Sequence, residues 1–249
     1  MMRQTSKNES RMKKQKQIRP QPIGDVLRAP EFRSEAELYP SADSRDVTKA
    51  EKIKFVEVCK SICPDFRITE DMKPLLNDLT RWCLMLDGKY DPNKGLWLWG
   101  SIGSGKSTML EIIRDYCHIV RPLAYYRDSE NPKLMRSERW LYSFRITNAS
   151  YVAGMFANDG YPGIEEYISS CRQAFDEVGR ECIPTGYFGN MENVFQYIIQ
   201  RRYDIRRGDF THVTSNLAPE QIGDVYGDHI YDRCREMFNF VEMSGASWR

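Results

Sequence analysis

Eight consecutive residues, Gly100, Ser101, Ile102, Gly103, Ser104, Gly105, Lys106 and Ser107, follow the pattern G-x-x-x-x-G-K-[ST]. Glycines at these positions let the backbone wrap so that its N–H groups point at phosphate oxygens, and a helix opening at Lys106 adds positive potential. Lys106 then reaches the β- and γ-phosphates, and Ser107 offers its hydroxyl to Mg²⁺, with Thr108 behind it at the start of the helix. The chemistry implied is the binding of ATP with Mg²⁺.

Phosphoryl transfer also needs a carboxylate near the metal and a group that orients or deprotonates water. Asp176-Glu177, between Ala174-Phe175 and Val178-Gly179, fits that need. Asp176 is placed to hold the Mg²⁺ shell and Glu177 to polarise the attacking water; taken alone, the same dipeptide also suits a surface acidic pair. Asn216, after the apolar run at Val213, would be a loop asparagine in isolation. Beside the other two motifs it becomes a γ-phosphate sensor.

These groups need strands ending in loops. Leu96-Trp97-Leu98-Trp99 is apolar on both faces and runs into Gly100, as a central parallel strand does. A helix is expected from Lys106 to about Val120. Further strands are expected at 141–146, at a segment ending in Phe175, and at 210–214, with a helix over 191–201. Arg172-Gln173 is polar where a buried strand is usually apolar. Upstream, Ile53, Val56, Cys59 and Ile62 have helical spacing, as do Leu75, Leu79, Trp82, Cys83 and Leu86 after a cap at Thr69. Strands alternating with helices imply an α/β fold with a parallel sheet flanked by helices.

Over about residues 90–249 the sequence resembles the DnaC/IstB-type AAA+ ATPases, which load replicative helicases or assist transposition. The resemblance rests on the phosphate loop, 175–179, 199–204, 214–217, 230–237 and 245–249. It implies a P-loop AAA+ core and ATP hydrolysis completed by an oligomer or partner. It also implies that Arg233 is a finger entering a neighbour's site and that Arg249 senses ATP in its own subunit. The partners implied are a replicative helicase or a transposase, together with single-stranded DNA and further copies of the chain. On this reading residues 1–46 are a basic, largely disordered tail and linker, 47–90 a helical lead-in, and 91–249 the ATPase core. The function implied is that of a DnaC-like helicase loader in DNA replication. The alternatives are an IstB-like transposition helper or an ATP-gated binding module with little hydrolysis. A small-molecule kinase would leave Asn216, Arg233 and Arg249 unexplained.

Composition excludes other classes. At 249 residues with 41% hydrophobic and 29% charged, the chain is globular rather than fibrous or wholly disordered. No run of about 20 apolar residues spans a bilayer, and the first twenty residues have no signal-like apolar core, so a cytoplasmic protein without a membrane anchor is expected. Those twenty carry seven basic residues against Glu9 alone, although the whole chain is only +1. Such a block is either a tether to nucleic acid or an acidic partner, or a merely solubilising tail. The basic residues Arg121, Arg127, Lys133, Arg136 and Arg139 either touch DNA or are solvated surface. The aromatic pairs Tyr125-Tyr126 and Tyr187-Phe188 either stack on bases or pack. Seven irregularly spaced cysteines suggest reduced thiols, and the three histidines lack metal-site spacing.

Overall fold

The computed structural model describes residues 45–121, 142–170, 172–205 and 211–244. Strand β1 (Gly95–Trp99) has a parallel neighbour at each edge, β6 (Thr211–Ser215) and β7 (Phe238–Glu242), and is buried on both faces by the two cores that flank the sheet. With β2 (Arg145–Asn148) and β3 (Gln173–Val178), the five strands run β2-β3-β6-β1-β7, every pairing parallel. Alternate side chains of one strand enter opposite layers. Leu96 and Leu98 belong to one core, and Trp97 to the other.

The first layer holds α1 (Lys49–Ile62), α2 (Met72–Cys83) and α3 (Lys106–Val120). Thr48 and Glu51 form a reciprocal capping box at the start of α1, and Arg45 reaches the same Glu51 carboxylate. The face of α1 that packs is Phe55, Val58 and Cys59, with Phe55 edge-on to Tyr116 at 5.0 Å. Ile53, expected on the buried stripe, is 49% exposed. Both stripes have helical spacing, and the one carrying the larger ring is turned inward. Thr69 is not the cap of α2: its carbonyl accepts from the Met72 N–H, and Asp71 precedes the helix without a side-chain bond.

The second layer holds α4 (Ala149–Asp159), α5 (Tyr161–Ser169), α6 (Val194–Asp204), α7 (Ile222–Tyr226) and α8 (Asp228–Met237). A short hairpin, β4 (Thr185–Tyr187) with β5 (Asn190–Glu192), precedes α6. It takes residues 191 and 192 out of the expected helix, which Asn193 then caps. Two expectations shift for physical reasons. Strand β2 begins at Arg145 rather than 141, because Tyr142 and Phe144 are buried around the His212 ring instead of joining the ladder. Gln173, polar at the entry to β3, is 1% exposed, and its amide donates to Thr147 Oγ1 and the Ala174 carbonyl. A polar residue is tolerated there because it is satisfied.

Arg121 is not a surface cation. Its guanidinium lies 4.6 Å from the Trp82 ring and 4.4 Å from the Tyr142 ring and donates to the Pro92 carbonyl. The other basic residues proposed with it, Arg127, Lys133, Arg136 and Arg139, and the pair Tyr125-Tyr126, lie outside the described residues. Tyr187 packs against Phe156, whereas Phe188 is 91% exposed at the hairpin turn. No described helix is long and apolar enough to cross a membrane.

Candidate nucleotide site

Parallel strands bring their C-terminal ends to one edge, and the motifs meet there. The loop from Gly100 to Gly105 joins β1 to α3 with Gly100, Gly103 and Gly105 at φ values of +149°, +84° and +83°. At Gly100 a Cβ would stand 2.5 Å from the Met243 carbonyl oxygen, so that position admits no side chain. Lys106, 9% exposed, lies across the loop and donates from Nζ to the carbonyls of Gly100 (2.9 Å) and Ser101 (2.8 Å). Burial draws its pKa down, and the charges of Asp176 and Glu177 oppose that shift.

The acidic pair sits on an irregularity. In a regular strand Asp176 and Glu177 would point to opposite faces. Here the register of β3 against β6 shifts between Phe175 and Val178, and Glu177 takes φ +60°. A bulge of this kind re-aims a side chain beside a site. Asp176 Oδ1 accepts from Ser107 Oγ at 2.8 Å and from Thr214 Oγ1, whose own oxygen accepts the Glu177 N–H at 2.9 Å. Both oxygens of Glu177 are engaged, Oε1 by Arg180 Nη1 at 2.6 Å and Oε2 by Asn148 Nδ2 at 3.0 Å.

A cavity of about 240 Å³ lies between these groups, lined among others by Gly103, Lys106, Ser107, Glu177, Arg180 and Asn216. Ile102, Gly105, Thr108 and Thr214 complete its wall. Ser101 and Ser104 belong to the same loop without lining the cavity, and Asp176 stands behind Ser107. The donor set fits ATP with Mg²⁺: a buried lysine on the loop, and a hydroxyl bonded to a carboxylate that a hard, oxygen-seeking cation can share. Among the described residues there is no cluster of three or more His, Cys, Asp or Glu that could hold a metal alone.

Arg233, on α8, is outside this cavity. It is half-buried over the Tyr203 ring at 5.0 Å and donates to the His229 carbonyl. Arg249 lies outside the described residues. Sequence reasoning missed Asn148, Thr214 and Arg180. Asn148 could have been found as the last residue of β2, paired in register with Asp176. Thr214 is next to Ser215-Asn216 in a strand the sequence did reveal. Arg180 carries no motif and depends on the turn after β3.

No known family model matches the chain, and no curated protein matches it in sequence. Solved structures do match in shape. The DnaI structure superposes with a TM-score of 0.51 at 18% identity, over 86% of this chain and 99% of that one. The DnaC helicase loader gives 0.49 at 13% identity over 74% of this chain and 96% of that one. AMPPCP-bound DnaA from Aquifex aeolicus gives 0.45 at 18% identity over 72% of this chain and 48% of that one. Identities this low speak for the fold, and the chain shares the fold of the DnaI structure: α/β, with a five-stranded parallel sheet between two helical layers.

Proposed function

We propose that this chain binds and hydrolyses ATP and acts in DNA replication as a DnaC-like helicase loader. The observation that carries the ATPase reading is the convergence of Lys106, Ser107, Glu177 and Asn216 on one cavity, with Asp176 bonded to Ser107 behind it. The loader assignment rests on the order of motifs from the phosphate loop through 175–179, 214–217 and 230–237. A replicative helicase and single-stranded DNA are the partners proposed, with a transposase the partner in the IstB-like alternative.

Each residue has a distinct task. The loop N–H groups and Lys106 hold the phosphates, and Lys106 exchanges its two loop carbonyls for phosphate oxygens. Ser107 and Asp176 hold Mg²⁺, which supplies neutralisation of the charge on the transferred phosphoryl group. Glu177 accepts a proton from the attacking water, and Asn216 donates to the terminal phosphate. Arg233 of a neighbouring copy stabilises the transition state once it leaves Tyr203, and Arg249 reads the nucleotide of its own subunit. The double engagement of Glu177 favours a low resting rate, which gives weight to a second reading, an ATP-gated module that turns over slowly.

The test is steady-state ATP hydrolysis with and without single-stranded DNA at several protein concentrations. Wild-type turnover per chain is expected to rise with concentration, to collapse in Arg233→Ala, and to vanish in Glu177→Gln while ATP still binds. Unchanged turnover in Glu177→Gln sinks the assignment of the base. Binding with no turnover in any variant favours the gated module.

A further inference from the structure

Resting on the ATP reading above, we infer that Arg180 is a second, built-in phosphate ligand, which leaves Glu177 for the terminal phosphate when a nucleoside triphosphate binds. The position is constructed rather than incidental. After Glu177 the chain makes a tight turn in which the Arg180 N–H donates to the Glu177 carbonyl at 3.2 Å. Gly179 takes φ +93° there, and a Cβ on it would stand 2.8 Å from Leu217 Cδ1. Glu181 fixes the far side of the turn. It is 8% exposed, accepts the Gly179 N–H at 2.7 Å, and accepts the Tyr226 hydroxyl from α7. The Arg180 side chain is thereby returned over the cleft, where it shares the cavity wall with Lys106, Ser107 and Asn216.

Its present partner is easily given up. The Arg180 and Glu177 side chains are 52% and 41% exposed, and a water-accessible single pair is among the weaker ionic contacts. A polyphosphate offers the guanidinium more charge and a geometry matched to its fork. The exchange has a chemical consequence: it releases Oε1 of Glu177, the group proposed to activate water, while Asn148 keeps Oε2 in place. A cation on the cavity wall and the neutralisation of the carboxylate proposed as the base are then one residue in two positions. Hydrolytic competence is tied to a nucleotide that carries the terminal phosphate, and ADP leaves the pair closed.

Equilibrium titration calorimetry of the full chain with Mg²⁺ and either AMPPCP or ADP tests this, in wild type, Arg180→Ala, Arg180→Gln, Glu177→Gln and the double variant Glu177→Gln/Arg180→Ala. Loss of Arg180 in either form should weaken AMPPCP about tenfold, one charge-assisted contact's worth, and ADP less than about twofold. The coupling has a sign. If Arg180 leaves Glu177 on binding, Glu177→Gln tightens AMPPCP more when Arg180 is present than in the Ala background, because the pair no longer has to break. If Arg180 stays on Glu177, it screens the carboxylate, and the gain is larger in the Ala background; that result, or equal losses for AMPPCP and ADP, overturns the inference. A wild type that binds neither nucleotide overturns the ATP reading and this inference with it, whereas binding that is insensitive to Arg180 overturns this inference alone. Arg180→Gln, which keeps a polar side chain and part of its stem while removing the charge, and a circular dichroism spectrum separate lost binding from lost folding.

Discussion

Replacing Thr214 by valine removes a hydroxyl while leaving the shape of the side chain nearly unchanged. That hydroxyl is fully buried, donates to Asp176 Oδ1 and accepts the Glu177 N–H. Loss of the bond to the backbone N–H costs about 1 kcal/mol, and loss of the donor to a half-buried carboxylate costs about the same, since water can partly replace it. The sum, about 2 kcal/mol, lowers the melting temperature of a chain this size by about 4–8 °C. Turnover should fall further than stability alone suggests. The bond to Thr214 is one of the contacts that hold Glu177 at φ +60°, a conformation a non-glycine residue keeps only under constraint. Released, the carboxylate drifts, and a displacement of about 1 Å from reacting geometry costs roughly a hundredfold in rate. Thr214→Ser retains the hydroxyl and should recover most of both losses. Urea denaturation read by tryptophan fluorescence and steady-state ATP hydrolysis provide the two readouts. A valine variant within about 0.5 kcal/mol of wild type and with undiminished turnover would refute the claim that this hydroxyl ties the acidic pair together.

Arg121→Lys should destabilise by about 2 kcal/mol although charge is conserved, because an ammonium cannot lie flat between the Trp82 and Tyr142 rings; the urea midpoint measures it. Glu51 is held at about 2 against an ordinary 4.5, chiefly by its hydrogen bond from Arg45. Because the folded value is depressed, the capping it gives α1 is complete above pH 4.5 and is lost as pH falls through 2. The Glu51 carboxyl resonance should titrate near 2 in wild type and move towards 4.5 in Arg45→Ala. Cys182 is exposed and Cys63 half-buried, whereas Cys59, Cys83, Cys117 and Cys234 are buried, with burial pushing the Cys59 thiol up to about 12. Brief iodoacetamide treatment of the folded protein should mark Cys182 first and spare the four buried thiols, as peptide mass mapping will show; early labelling of Cys59 would contradict the packing of α1.

The centre of the fold was legible because it is written in local chemistry. A strand apolar on both faces, a glycine-rich loop and a helix opening at Lys106 leave few alternatives, and β1, the loop and α3 are where those residues required. The edges were less legible. Strand β7 pairs with β1 in register from Gly95 to Trp99, yet nothing local distinguishes Phe238-Asn239-Phe240-Val241 from the end of a helix. Its identity depends on a partner more than a hundred residues away. Helices α4 and α5 were hidden for a related reason: their apolar residues are set by contact with β3 and α6 more than by a clean periodic stripe. At the site, Lys106, Ser107 and Asp176 were readable from residue type and spacing. Asn148, Thr214 and Arg180 were not, because each reaches the cavity or the acidic pair from a strand end, a buried hydroxyl or a turn that only the folded sheet defines.

Strand β6 separates the strand that feeds the phosphate loop from the strand that carries the acids. Adjacent strands are about 4.8 Å apart, so the backbones of β1 and β3 stand roughly two such steps apart, a width fixed by backbone hydrogen bonds and bridged by side chains such as Asp176, which reaches Ser107. Side-chain substitution can line this gap differently but cannot widen or narrow it appreciably. The interposed strand works as a gauge block, and its tolerance is that of the peptide ladder. Sequence drift at the loop or at the acidic pair therefore leaves the span between them unchanged, while a single register slip in β6 would put both out of reach of the same nucleotide.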